Sequence, residues 1–445
     1  MLQKALKFLR HLWASEDLRN RVLISIFLLV IYRIASHVPV PGVNVEALKG
    51  LFQNENNTFL NFLDLLSGGT MSNFSVLAMG PYPYITAQII LQVLTPVIPS
   101  LDRRLKEDPQ GARRWQERWT YYLAVPMAAL QSLSQIAMVS TIGQQPVFPN
   151  WGWNLSSFAV VVTMTAGTMF AIWLGELISE FGIRNQGLSL IIFAGIVSRL
   201  PFNISNMLSD EQTRWQSLGV YGFVTIAVVY LIVVVQQGRR NIPVMYPGRR
   251  IGFRQSMPVR ASLPLMVNMA GMIPLIFAGY IITLPNIVAG WVLSAAPDTT
   301  SWFHNAALSV LAFMNANNGV YNLFYFLLVV GFTFFYTDVQ FTQANFAENL
   351  RRSGAQIPGV TAGAATQKYL STVGRRITLP GAIFLGFVAV LPFLVKSVVN
   401  FGPSGGTLLM SSSGLLIVVG VVRELYFNLE AELKLRGYDE TNLVK

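Results

Sequence analysis

Ten apolar stretches, each about as long as a helix that crosses a bilayer, punctuate this chain and leave few architectures open to it. The first runs from Val22 to the Val-Pro-Val-Pro-Gly of residues 38–42. The others lie at 77–98, 121–142, 155–177, 188–204, 218–235, 263–284, 321–336, 378–399 and 415–429. A soluble fold could not hide so much apolar surface, because 53% of the 445 residues are hydrophobic and only 12% are charged, against about 25% charged in a typical soluble domain. The expected fold class is therefore an all-α membrane protein with ten transmembrane helices. An even number of spans divides into two halves of five that face opposite ways, as inverted repeats do in transport proteins.

The segments between the spans set the boundaries. Residues 1–20 carry Leu2, Leu6, Leu9 and Trp13 on one helical face, which predicts a helix lying in the interface. A first five-helix half follows over 21–206, a sixth helix over 207–237 and a basic loop over 238–262. The seventh and eighth helices occupy 263–340, a second basic loop 341–377, the ninth and tenth helices 378–432, and a tail 433–445. Residues 58–71 form a semi-apolar piece too short to span, read as a re-entrant half-helix. Assigning alternate loops to opposite sides puts 26 of the 32 Lys and Arg on one side, with only Lys49 and Arg214 in the opposite loops. The positive-inside rule then makes both termini cytoplasmic. The same asymmetry accounts for the net charge of +11 without nucleic acid.

No catalytic or metal-binding pattern is present. There is no cysteine, the three histidines are scattered, and neither a phosphate-binding G-x-x-x-x-G-K-[ST] nor H-E-x-x-H occurs. No cofactor is expected, and the chain is not expected to be an enzyme. Charged residues are scarce within the spans; Arg423 with Glu424 is the pair that reads as most buried, and a structural role is favoured for it. Polar residues at mid-span, Thr86, Gln88, Gln131, Gln135 and Asn268, are expected to meet one another between helices, either as static glue or as a seam that parts. Gly80-Pro81-Tyr82-Pro83, Gly271-Met272-Ile273-Pro274 and Leu379-Pro380-Gly381 are expected to kink helices or bring them close.

Ordered motifs then point to a family. They include Tyr32-Arg33-Ile34, Ser67-Gly68-Gly69, Pro83-Tyr84-Ile85-Thr86, Trp173-Leu174-Gly175-Glu176, Ile192-Phe193-Ala194-Gly195, Val267-Asn268-Met269-Ala270-Gly271, Phe335-Tyr336-Thr337 and Ile357-Pro358-Gly359. Read together, from the first span to the last, the chain resembles the SecY family of protein-conducting channels. The resemblance implies a central hourglass pore between the halves, closed at its waist by a ring here matched by Pro81, Ile85, Leu188, Ile192, Ile276 and Ile417. Pro81 departs from the branched apolar residue usual in that ring. The half-helix matches the family's plug, with Leu60, Phe62, Leu63, Leu66, Ser67, Gly68 and Gly69. Thr86, Gln131 and Asn268 match a lateral gate between the second and third helices on one side and the seventh and eighth on the other.

For the basic loops the resemblance implies docking of a motor or ribosome by Arg239, Arg240, Arg249, Arg250, Arg254, Arg351, Arg352, Lys368, Arg375 and Arg376. Thr361 stands where the family usually has an arginine. The implied partners are the small membrane subunits SecE and SecG, the motor ATPase SecA, the ribosome, signal peptides and nascent chains, and the lipid bilayer. The implied location is the inner membrane. A competing reading is an ion-coupled secondary transporter of small solutes, against which the scarcity of midplane carboxylates argues.

Overall fold

A computed structural model describes residues 13, 15–44, 70, 74–142, 154–184, 186–209, 214–246, 250–251, 254–255, 259–295, 302–314, 318–398 and 411–435. The chain is mostly helical. In chain order its elements are α1 (Glu16–Ala35), α2 (Tyr82–Val97), α3 (Pro99–Glu107), α4 (Pro109–Ile142), α5 (Leu155–Phe181), α6 (Gly187–Ser209) and α7 (Arg214–Gln237). Four strands follow: β1 (Arg239–Tyr246), β2 (Arg250–Ile251), β3 (Arg254–Gln255) and β4 (Val259–Met266). The remainder is α8 (Ile273–Ala295), α9 (Trp302–Phe313), α10 (Gly319–Ala344), α11 (Phe346–Arg352), α12 (Ala364–Val398) and α13 (Ser411–Leu435). Among the described residues ten of these helices have 16 to 35 residues, at the ten expected places along the chain. Four stretches, Leu155–Phe181, Leu218–Gln237, Gly319–Arg352 and Ala364–Leu391, are long and apolar enough to cross a membrane by length and composition.

Several expected boundaries move. The Gly-Pro-Tyr-Pro run does not kink a span: residues 74–81 form turns, and α2 starts at Tyr82 with Pro83 in its first turn, where proline forfeits no helical hydrogen bond. Likewise the apolar run at 263–266 is strand, not the start of the seventh span; a turn through Gly271, at φ +65°, separates it from α8. Pro274 again falls in the first helical turn. Pro380 does lie inside its helix, α12, which begins fourteen residues before the apolar stretch expected there.

The long helices pack as two sets. In the first, α2 touches α4, α4 touches α5, α5 touches α6, and α1 touches α5 and α6. Every one of these pairings recurs at the same ordinal places in the second set: α8 with α10, α10 with α12, α12 with α13, and α7 with α12 and α13. Such a repeat in packing is what two related five-helix halves produce. Each set has its own core. Leu28, Tyr32, Leu77, Ala171, Leu174, Ile178, Leu190 and Ile191 form one, and Val228, Ile232, Ala278, Ile282, Tyr325, Val329, Leu385, Val388 and Leu416 the other.

The long loop after α7 is a hairpin. β1 pairs antiparallel with β4, from Arg239 opposite Met266 to Tyr246 opposite Val259. Alternation puts Ile242 and Val244 on one face, where they are buried with Leu265, Phe341, Ala355, Ile357 and Leu370. Met245 and Gln356 add a backbone bridge, donating to each other's carbonyls at 2.8 and 2.9 Å. The two basic loops thus share one apolar core and a β-bridge.

Candidate functional site

The two helix sets meet along two lines. On one side α6 packs against α7 and α13; on the other, α2 packs against α10 and α4 against α8. On the first of these lines lies a small apolar cluster. Ile192 and Ile196 of α6 are buried against Ile417 and Val421 of α13, and Ile85 of α2 and Met272 pack on them. Three of the six residues matched to the ring, Ile85, Ile192 and Ile417, are therefore together where the sets meet. Leu188 is not in that cluster. It packs with Tyr84, Ala87, Ala124 and Ile172, because it lies one helical turn before Ile192, where α6 passes close to Gly175 of α5. Pro81 and Ile276 are buried.

Two of the polar trio, Thr86 and Asn268, make local hydrogen bonds. Thr86 is buried, but its hydroxyl donates to the Tyr82 carbonyl one turn back in its own helix, at 3.0 Å. Asn268 sits in the turn before α8, where its Nδ2 donates to the Gly271 carbonyl at 3.1 Å and its buried Oδ1 accepts no hydrogen bond from the described residues. Both bonds are local, and neither reaches across the line between sets. A threonine hydroxyl can bond its own helix wherever it sits, as Thr95, Thr168, Thr333, Thr337 and Thr378 also do. Gln131 is 7% exposed.

A polar contact that the sequence reading did not single out does cross this line. The hydroxyl of Tyr336, on α10, donates to Oε1 of Gln92, on α2, at 3.0 Å. Tyr336 is 6% exposed and borders a narrow crevice lined otherwise by Ile89, Ile273, Pro274, Phe277, Phe332 and Phe335. These residues come from α2, α8 and α10, so the crevice lies on the line where the sets meet. The sequence signal was available in part, since a glutamine within an apolar stretch needs a partner other than its own helix.

On the opposite side one charged contact lies within the second set and another joins the two sets. Arg423 Nη1 on α13 donates to the Gln236 carbonyl in the last turn of α7 at 2.6 Å, where a cation also meets the negative end of the helix. Arg21 of α1 lies 3.6 Å from Glu432 of α13. The expected structural role of Arg423 is met by this geometry.

The residues matched to docking lie around the hairpin and the following loop. Arg239 and Arg240 in β1, Arg351 and Arg352 in α11, and Lys368, Arg375 and Arg376 in α12 are exposed. Arg375 pairs with Asp338 of α10 at 2.9 Å, and Arg351 and Arg352 both pair with Glu348. Arg250 and Arg254 belong to the small hairpin β2–β3, and Arg249 lies outside the described residues. The segment matched to the plug also lies outside them, apart from Thr70, whose hydroxyl donates to the Leu77 carbonyl at 2.7 Å. Among the described residues no group of acidic, His or Cys side chains is arranged to hold a metal ion.

Comparison with known proteins gives this arrangement a family. The SecY family model matches residues 75–426. The protein translocase subunit SecY of Streptomyces scabiei is 36% identical, with 96% of this chain and 97% of that relative covered. The corresponding subunit of Aquifex aeolicus is 35% identical, with 97% and 98% covered. Among solved structures, one described as a protein conducting channel aligns with a TM-score of 0.58 at 17% identity, covering 93% of this chain and 92% of that one. Sec61 in the canine ribosome-channel complex aligns with a TM-score of 0.56 at 16% identity, covering 93% and 92%. With a family model spanning most of the sequence and full-length relatives above 30% identity, this chain belongs to the SecY family.

Proposed function

We propose that this chain is the pore subunit of a protein-translocating channel, passing unfolded secretory proteins across the membrane and releasing apolar segments sideways into lipid. The observation that carries the reading is the apolar cluster of Ile85, Ile192, Ile196 and Ile417 at the junction of two helix sets, one flank of which is a line of contact between α2 and α4 on one side and α8 and α10 on the other. An apolar constriction repels ions, and flexible side chains close around a moving polypeptide. Pro81, Leu188 and Ile276 complete the ring when the pore is formed, and residues 58–71 act as its plug. Segments leave between α2/α4 and α8/α10 according to their own apolar surface.

The joined basic loops form the cytoplasmic docking face. We assign to it SecA or the ribosome as driving partner, with SecE and SecG as membrane partners. The termini lie on that same side of the inner membrane, as the distribution of Lys and Arg supports. Vesicles holding this chain with its small subunits, given SecA, ATP and a secretory precursor, will protect the precursor from added protease. Absence of protection where a known translocase succeeds contradicts the function. In the same vesicles, changing Ile85, Ile192 and Ile417 together to Ser with residues 58–71 deleted will raise resting ion conductance; unchanged conductance removes them from the ring.

A further inference from the structure

We propose that α9 is an interfacial anchor seated in the outer lipid leaflet, lying along the boundary between headgroups and acyl chains with Trp302, Phe303 and Phe313 sunk into it. This contact is independent of what passes through the channel. α9 has twelve residues, about 18 Å of helix, against the roughly 30 Å of a hydrocarbon core. It is too short to cross, yet nothing about it suits water. From residue 299 to residue 337 the chain holds no Asp, Glu, Lys or Arg. α9 packs on α8, and its buried residue is Ala307. Its exposed side chains are large and apolar: Trp302 is 73% and Phe303 61% exposed, their rings meeting edge to face at 4.9 Å, and Leu308 and Phe313 are exposed as well. Trp302, Ser309 and Phe313 are spaced by seven and four, which puts them on one stripe. The Ser309 hydroxyl donates to the Asn305 carbonyl at 2.9 Å, so this polar member of the stripe brings no unmet donor into lipid. Position in the chain supplies the occupant. Six residues separate α9 from α8 and five separate it from α10, a reach of about 20 Å at most, so α9 is held at the mouth between two spans. That mouth is the end of α8 away from the basic hairpin, hence the outer side. Val288 on α8 and Val320, Leu323 and Phe324 on α10 continue the exposed apolar surface onto the spans themselves. Tryptophan at such a level is the usual mark of an interface, with its ring in lipid and its N–H among headgroups.

The test uses the full chain in vesicles with cysteine-free small subunits, because a chain without cysteine accepts one fluorescent label at a chosen place. Ala306→Cys and Ser309→Cys put a bimane beside Trp302 and Phe313 while keeping every aromatic side chain of α9. Ser262→Cys, exposed on β4, is the reference for water. Each protein is quenched in turn by lipids brominated near the top of the acyl chain and by iodide in solution. Labels at 306 and 309 should lose most of their fluorescence to brominated lipid and little to iodide, and the label at 262 the reverse. Iodide quenching at 306 and 309 as strong as at 262 puts α9 in water and overturns the anchor. Protection from both quenchers overturns it too, since a subunit or a second copy then covers the helix. Trp302→Ser with Phe313→Ser, read through the label at 309, should shift quenching from brominated lipid toward iodide. An unchanged ratio would mean that α8 alone holds the helix in place, and takes the anchoring role from the two aromatic side chains.

Discussion

At the scale of single residues, close approach of backbones matters as much as the apolar side chains. Gly187, the first residue of α6, lies against the Gly175 backbone of α5, so that an added Cβ would collide with the Gly175 carbonyl and crowd the Ser179 hydroxyl. That hydroxyl accepts a hydrogen bond from the Gly187 amide at 3.0 Å. Gly187→Ala will therefore destabilise by about 1–3 kcal/mol, the usual range for overpacking, seen as a lower unfolding midpoint in detergent. Gly219→Ala on α7 meets no atom within 4 Å and trades helix-weakening glycine for alanine, so it will leave the midpoint unchanged or raise it by the equivalent of up to about 1 kcal/mol. Equal losses from both substitutions would contradict this account of α5–α6 contact. Neither glycine is distinguishable from the other in the sequence, because both occur in apolar helices and only the neighbour across the contact separates them. The polar residues teach the same point. Mid-span Thr86 and Asn268 read as groups in search of a partner helix, yet short side chains reach backbone carbonyls nearby. Gln92, with a longer side chain, does reach another element, as Gln116 does toward Thr95, and its partner is a tyrosine embedded in the aromatic run Phe334-Phe335-Tyr336.

At the scale of elements, helices were legible and their ends were less so. Long apolar runs locate all ten, since hydropathy needs no tertiary partner. Ends depend on turn chemistry. Gly271 and the proline two residues into α8 start that helix, and the apolar Leu263–Met266 run that precedes them pairs as strand with residues 239–242. An alternating basic and apolar stretch in a loop gives little sign of a hairpin until its apolar face, Ile242 and Val244, finds Leu265, Ile357 and Leu370. The hairpin and the later loop are joined through Met245 and Gln356 by main-chain groups alone. Gln356→Pro removes the amide that donates to Met245 and will speed amide exchange in residues 239–246, whereas Gln356→Ala, which alters only an exposed side chain, will not. Identical exchange in both variants would show that the shared apolar core holds the loops together without the bridge.

At the scale of the whole molecule, the repeat of helix pairings between the first and second sets turns a count of ten into an architecture. Two bodies with separate cores meet along two lines, one side carrying the Arg21–Glu432 ion pair between the sets, the other apolar packing and the Tyr336–Gln92 bond. An ion pair joins the sets beside one flank, and on the other a neutral hydrogen bond lies amid aromatic side chains. In the translocation reading, the α6/α7/α13 flank stays closed while the α2/α4 and α8/α10 flank opens. The absence of cysteine from the sequence makes this directly measurable. Introducing Gln92→Cys and Tyr336→Cys together and joining them with a short bifunctional maleimide will abolish precursor translocation in vesicles, while each single substitution treated the same way remains active. Full translocation by the joined protein would contradict the claim that the two helix sets must part along this line.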